Sequence, residues 1–151
     1  MLVRSTLLAA RWAARHQIAI TALSVDHGLR RRSKAEARKL GFWLSERGIA
    51  QKVLTWRGAK PQSNIQARAR EARYRLLGDW CRRHGVQDLL LGHHQDDQAE
   101  TVILRLMRGS GVDGLAAMAP LTMRDGLRIL RPLLGVPKAR LTATCAKLQQ
   151  P

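Results

Sequence analysis

The chain has 151 residues, of which 27 are Lys or Arg and 11 are Asp or Glu, so its formal net charge is +16. Its longest apolar run, 115–119, has about five residues, far short of the roughly 20 that a membrane-spanning helix needs, so no membrane partner is expected. Cys81 and Cys145 form no C-x-x-C pair, which excludes a disulfide scaffold and a zinc or iron–sulfur site built from this chain's cysteines alone.

Hydrophobic periodicity and turn residues predict that helices and short apolar strands alternate along the chain. Helices are predicted at 3–16, 33–47 and 63–84, in a segment containing 101–108, and from Pro137 onward; strands are predicted at 18–25, 51–56 and 88–92, with short extended pieces near 121–123 and 127–130. This alternation implies a parallel sheet with right-handed crossovers. The predicted fold class is therefore α/β, a Rossmann-like doubly wound parallel sheet with helices on both faces.

Two of the helices show apolar positions suited to burial. In the first, Leu7, Leu8 and Trp12 are available for the buried side. In the third, a predicted buried face recurs at steps of three and four residues, formed by Ile65, Ala69, Ala72, Leu76 and Trp80. Ser63, three residues before Gln66, is predicted to open this helix with a capping box.

Two predicted strands end in turns that carry titratable side chains. One turn holds Asp26 and His27, and the other holds the cluster His93, His94, Asp96 and Asp97. Ligands of open α/β sheets bind beyond the carboxyl ends of the strands. Because parallel strands run the same way, both turns are expected at one edge of the sheet, which predicts a functional site there.

The second turn has structural as well as functional interpretations. Asp97 and Glu100 have the spacing of a capping box, which needs no ligand. Asp96 and Glu100 are four residues apart on one helix face and suit Mg²⁺ or an ammonium group. Adjacent histidines have poor spacing for zinc, but a metal-dependent phosphoesterase that uses the cluster is a distinct alternative.

Basic residues are concentrated in residues 1–84, which hold 19 basic and 5 acidic residues, against 8 and 6 in the remainder. This asymmetry favours nucleic acid as a partner, although an Arg-rich solvated surface would look the same. Arg70 and Arg73 suit a phosphate clamp, or else pair with neighbouring glutamates on a solvated face. The glycines near 109–111 are a weak phosphate-binding signal, and no Walker-type P-loop is present.

Five blocks, in this order, resemble the tRNA(Ile)-lysidine synthetases. They are VDHGLR (25–30), REARY (70–74), HHQDDQAET (93–101), RGSGVDGL (108–115) and RPLL (131–134). The resemblance implies the N-type ATP pyrophosphatase (PP-loop) fold, an adenine nucleotide alpha hydrolase-like sheet. It implies that ATP and Mg²⁺ serve to adenylate the C2 oxygen of the wobble cytidine in an isoleucine tRNA with a CAU anticodon. The ε-amine of L-lysine then displaces AMP.

The resemblance also implies roles for individual residues. The catalytic set is Asp96, Glu100 and His93, with Asp96 or Glu100 orienting lysine and accepting a proton. The nucleotide set is Asp26, His27, Gly92, Arg70 and Arg73, and the Mg²⁺ set is Asp96 and Asp97. The tRNA set is Arg30, Arg31, Arg108, Gly109, Ser110 and Gly111.

The chain departs from the family pattern at both ends. No S-G-G-x-D-S phosphate loop occurs, and the sequence opens inside the helix that follows this loop, so the first strand is expected to be missing. Residues 1–151 are thus expected to be a partial catalytic domain without the C-terminal tRNA-binding domains, inactive as a ligase alone. A tRNA-binding remnant is the non-enzymatic alternative. A cytoplasmic location is expected, and the full-length protein is a candidate homodimer. The sister 2-thiocytidine synthetases depend on Cys pairs that this chain lacks.

Overall fold

The computed structural model describes residues 2–28, 33–58, 61–109 and 116–147. Its helices are α1 (Leu2–Arg15), α2 (Ser33–Ser45), α3 (Ile65–Arg83), α4 (Gln95–Met107) and α5 (Lys138–Lys147). Its strands are β1 (Thr21–Asp26), β2 (Ala50–Thr55), β3 (Asp88–Leu90), β4 (Leu121–Arg124) and β5 (Leu127–Leu130). The predicted alternation of helices and strands is confirmed, with boundaries shifted by a few residues. No helix in these ranges is long and apolar enough to cross a membrane.

Residues 8–86 form one of two compact units. In it β1 and β2 pair in parallel, from Thr21 opposite Ala50 to Asp26 opposite Thr55. This pairing makes the helical connection between the two strands a β–α–β unit, as the sequence predicted. The core of the unit is built around Leu44 and Cys81, each about 1% exposed.

Residues 1–7 and 87–151 form the other unit, a three-stranded sheet in the order β3–β5–β4. β3 and β5 are parallel, whereas β4 and β5 form an antiparallel hairpin. Asp125 and Gly126 both have positive φ values at the hairpin turn, the conformation that type I′ turns require. Asp88 and Arg128 are register partners, and two hydrogen bonds of 2.6 and 2.7 Å join their side chains.

Two predictions about helix faces are confirmed only in part. The buried residues of α3 are Ala72, Tyr74, Leu77 and Cys81, whereas Ile65 is 43% exposed. Ala72 is thus buried as predicted, but Leu77 and Cys81 are buried in place of Leu76 and Trp80, so this part of the face lies one residue beyond the predicted one. In α1, Leu7 and Ala13 are buried while Trp12 is exposed.

The predicted capping box of α3 is wrong. The helix is preceded by Asn64, which has a left-handed conformation and makes no side-chain capping hydrogen bond. Asparagine tolerates this backbone conformation better than most residues. The helix thus starts two residues after Ser63, without a Ser63 cap.

Candidate functional site

The turn between β3 and α4 is organised by His94, which is buried. His94 has an extended backbone, and its Nδ1 accepts a hydrogen bond of 3.3 Å from Asp97 N. In return Asp97 Oδ2 accepts a bond of 2.8 Å from His94 N. The capping box therefore joins His94 to Asp97, and the predicted box of Asp97 with Glu100 is wrong. The cap rules favour Ser, Thr, Asp and Asn, so an imidazole acceptor was not anticipated.

This hydrogen bond assigns the tautomer of His94. Because Nδ1 accepts, the neutral ring carries its proton on Nε2. Nε2 is buried and has no hydrogen-bond partner among the described residues. Buried donors are normally satisfied, so this N–H is suited to a ligand oxygen.

Asp96 is bound to the start of α5. Its Oδ1 accepts a hydrogen bond of 3.0 Å from Lys138 N, and next to it Gln95 N donates to Val136 O at 3.1 Å. The Lys138 hydrogen bond is the main cause that holds the pKa of Asp96 below its ordinary value. One oxygen of this predicted catalytic and metal-binding carboxylate is therefore committed to the backbone.

Glu100 differs from both aspartates of the turn. Its side chain is exposed on α4 and makes no hydrogen bond or ion pair with the described residues. Asp97, three residues earlier on the same helix, keeps Oδ1 without a hydrogen bond to the described residues. Residues three apart are neighbours on a helix surface, so these two carboxylates present a small acidic face.

Few side chains at this turn are available to bind Mg²⁺. No group of three or more His, Cys, Asp or Glu able to hold a metal occurs within the described ranges. Sites for Mg²⁺ use one or two carboxylates together with substrate phosphates, so the free oxygen of Asp97 is compatible with that ion. The phosphoesterase alternative, which needs a ligand cluster, gains no support from this arrangement.

Gly92 lies where α1 approaches the end of β3. A Cβ atom at Gly92 would come within 2.4 Å of Ser5 Oγ and 2.8 Å of Ser5 Cβ. Real Cβ atoms essentially never make contacts that short. Helix packing therefore accounts for this glycine without a ligand, and its predicted place beside the nucleotide stays a prediction.

Sequence reasoning missed the residue that ties α4 to the segment after the RGSGVDGL block. The Gln98 amide donates to Met118 O and accepts from Met118 N, both at 2.8 Å. Arg131, buried at the end of β5, donates to Ala119 O at 2.9 Å and Thr122 Oγ1 at 3.1 Å. A glutamine in a polar block gave no periodic signal, since its partner is a backbone 20 residues away.

In the unit of residues 8–86, Asp26 is 4% exposed at the end of β1. Its Oδ1 accepts a hydrogen bond of 2.9 Å from Gly28 N, and its backbone oxygen accepts one of 2.9 Å from Trp56 N. The ring of His27 meets that of Trp56 edge-on, with centroids 6.1 Å apart. The ends of β1 and β2 thus bring the predicted nucleotide residues Asp26 and His27 beside an aromatic side chain.

The two predicted phosphate-clamping arginines are separate from carboxylates. The Arg–Glu pair of α3 joins Arg68 to Glu71 at 3.9 Å. Arg70 instead lies over the ring of Tyr74, 5.3 Å from its centroid, and Arg73 makes no ion pair with a described residue. Both guanidinium groups therefore remain available for an anion.

Of the residues predicted to bind tRNA, Arg108 and Gly109 lie within the described ranges and the others do not. Arg108 is the C-cap of α4, and Gly109 follows with a φ of 69°, so this glycine also ends the helix. Arg30, Arg31, Ser110 and Gly111 lie outside the described residues. Asp26 and the His93–Asp97 turn follow strands of different sheets, so their convergence stays a prediction.

Comparisons with known proteins agree with this fold. The PP-loop domain family matches residues 3–151. The chain is 51% identical over 139 residues to a tRNA(Ile)-lysidine synthase of Bradyrhizobium diazoefficiens. The aligned part covers 91% of this chain and 38% of that protein. The chain is 50% identical over 142 residues to the tRNA(Ile)-lysidine synthase of Rhodopseudomonas palustris, and that alignment covers 93% of this chain and 41% of the synthase.

A solved structure shares the fold at lower identity. It is the U34-tRNA thiolase NcsA from Methanococcus maripaludis with its [4Fe-4S] cluster, with a TM-score of 0.77 and 20% identity over 98% of this chain and 53% of that one. The chain spans only about two fifths of the first two synthases, between 38% and 41% of their length. It belongs to the PP-loop domain family, whose α/β fold it shares.

Proposed function

We propose that the chain forms part of the catalytic domain of a tRNA(Ile)-lysidine synthase, an ATP-dependent ligase that joins L-lysine to C2 of the wobble cytidine. The observation that carries the proposal is the 51% identity to such an enzyme over 91% of the chain. The free acidic face of α4 supports it, because the second substrate is a cationic amino acid. The cytoplasm, where free lysine, ATP and tRNA meet, is the proposed location.

Glu100 is proposed to bind the lysine substrate. The ε-ammonium group must lose a proton before its nitrogen attacks C2, and AMP then leaves with the C2 oxygen. The Glu100 side chain is exposed and makes no polar contact with the part of the chain that the structure describes, so it can orient the ammonium group and take that proton. His93 completes the proposed catalytic set at the same turn, and Asp97 adds negative charge beside Glu100.

The proposed nucleotide-binding residues are those that the resemblance to the family implies. ATP supplies the adenylyl group that activates the C2 oxygen. Arg70 and Arg73, which form no ion pair with a carboxylate of the described residues, are proposed to bind its phosphates, since planar guanidinium groups match phosphate oxygens. Asp26 and His27 border the nucleotide, as does Gly92. Mg²⁺ is proposed to bind Asp97 Oδ1 together with phosphate oxygens.

Basic and glycine-rich segments are proposed to bind the tRNA. The proposed contacts are Arg30, Arg31, Arg108, Gly109, Ser110 and Gly111. An isoleucine tRNA with a CAU anticodon is the proposed substrate, and the strong positive charge of the chain supports a polyanionic partner.

A segment exchange tests the function. The part of the Bradyrhizobium diazoefficiens synthase that matches this chain is replaced by the residues of this chain, and AMP release is measured with and without lysine and unmodified tRNA. We expect release that depends on both substrates. Glu100→Gln should lower it by about 10²–10⁴-fold, whereas Glu36→Gln, at another exposed helical glutamate, should leave it unchanged.

Two outcomes would contradict the proposal in different ways. A chimera that folds and binds tRNA but releases no AMP in response to lysine would refute the function. An active chimera in which Glu100→Gln behaves like Glu36→Gln would refute the role of Glu100 alone.

A further inference from the structure

A hydrogen bond of Asp96 joins the HHQDDQAET block at the start of α4 to the start of α5. Asp96 is the second residue of α4, and its Oδ1 lies 3.0 Å from Lys138 N, the first residue of α5. The neighbouring backbone bond from Gln95 N to Val136 O, 3.1 Å long, fixes the same pair of segments. Two independent contacts therefore hold the start of α4 against the start of α5.

The start of α5 has no local side chain that can cap it. Val136 and Pro137 precede Lys138, and neither side chain has a hydrogen-bond acceptor. Pro137 O already accepts from Arg140 N and Leu141 N. The first amide of α5 therefore depends on a distant acceptor, and Asp96 supplies it from 42 residues away.

We propose that Asp96 is a positioning residue rather than the catalytic base or a metal ligand. It acts through Lys138 N and holds the start of α4, and thus Asp97 and Glu100, in place against α5. This assignment rests on the proposed function for its effect on catalysis, but the contact itself does not. What the role requires is an oxygen acceptor at this position, and a negative charge is not needed.

Two substitutions separate these roles. Asp96→Asn keeps an oxygen that can accept from Lys138 N but removes the charge, whereas Asp96→Ala removes both. In the chimera we expect Asp96→Asn to keep AMP release within about twofold of the unsubstituted value. We expect Asp96→Ala to lower it more strongly, because the acidic face of α4 loses its support.

Amide hydrogen exchange at Lys138, measured on the chain itself, gives a readout that does not depend on activity. Exchange should be about fivefold faster in Asp96→Ala, as expected for a lost helix cap, and nearly unchanged in Asp96→Asn. Glu100→Gln serves as the control, since it should lower AMP release by about 10²–10⁴-fold and leave Lys138 exchange unchanged.

The outcomes are distinguishable from failure of the proposed function. If Asp96→Asn loses as much activity as Asp96→Ala while Lys138 stays protected, the charge of Asp96 is required and the proposal is overturned. Unchanged Lys138 exchange in Asp96→Ala also overturns it. If the unsubstituted chimera is inactive, the proposed function fails, and the exchange experiment still decides whether Asp96 holds α5.

Discussion

Replacing Gly92 with alanine tests whether this glycine serves helix packing. The new Cβ would lie 2.4 Å from Ser5 Oγ and 2.8 Å from Ser5 Cβ, and the second atom is attached directly to the α1 backbone. Relief therefore requires a shift of the helix, for which the usual cost of overpacking is about 1–3 kcal/mol. For a chain of this size that corresponds to a fall in Tm of about 2–12 °C. Calorimetry or circular dichroism would measure it.

Second substitutions at Ser5 make the test specific. Ser5→Ala removes only Oγ and should rescue Gly92→Ala in part, whereas Ser5→Gly removes Cβ as well and should restore most of the loss in a double-mutant cycle. Gly135→Ala is the matched control, since a Cβ there meets no atom within 4 Å, and it should change stability by less than about 0.5 kcal/mol. If Gly92→Ala matches Gly135→Ala in Tm, or if Ser5→Gly gives no rescue, the packing explanation is refuted.

Three further substitutions or modifications probe the described contacts. Gln98→Glu removes the donor to Met118 O, so the free energy of unfolding in urea should fall by roughly 1–3 kcal/mol, and an unchanged midpoint would contradict the clamp. Burial raises the pKa of the Cys81 thiol, so a disulfide reagent should label it only once denaturant unfolds the chain; fast labelling of the native protein would argue against this burial. The exposed ion pair of Asp88 and Arg128 should give a coupling energy of only about 0.2–1 kcal/mol in a double-mutant cycle, and this energy should fall in high salt. A much larger coupling energy would show that solvent exposure does not weaken the pair.

The chemistry of the β3–α4 turn was visible in the sequence, but the use of each side chain was not. The HHQDDQAET block predicted a polar strand end followed by a helix, and the structure confirms that arrangement. The capping box was placed at Asp97 and Glu100 because those residues fit the common rule. In the structure His94 takes the capping position, which leaves Glu100 free. The local rule failed because a buried imidazole can accept the bond as well as a hydroxyl or carboxylate can.

Local patterns are enough to predict the succession of helices and strands and the α/β class, and they carry the likeness to lysidine synthetases. These follow from periodicity, turn residues and short motifs, which act over a few neighbouring positions. Three contacts become visible only in the folded chain: Asp96 caps α5, Gln98 binds Met118, and Gly92 makes room for Ser5. Each of these contacts joins residues that are 20 or more positions apart. The partner of a polar side chain cannot be predicted when it lies in another element, because sequence periodicity describes only the helix or strand in which a residue lies.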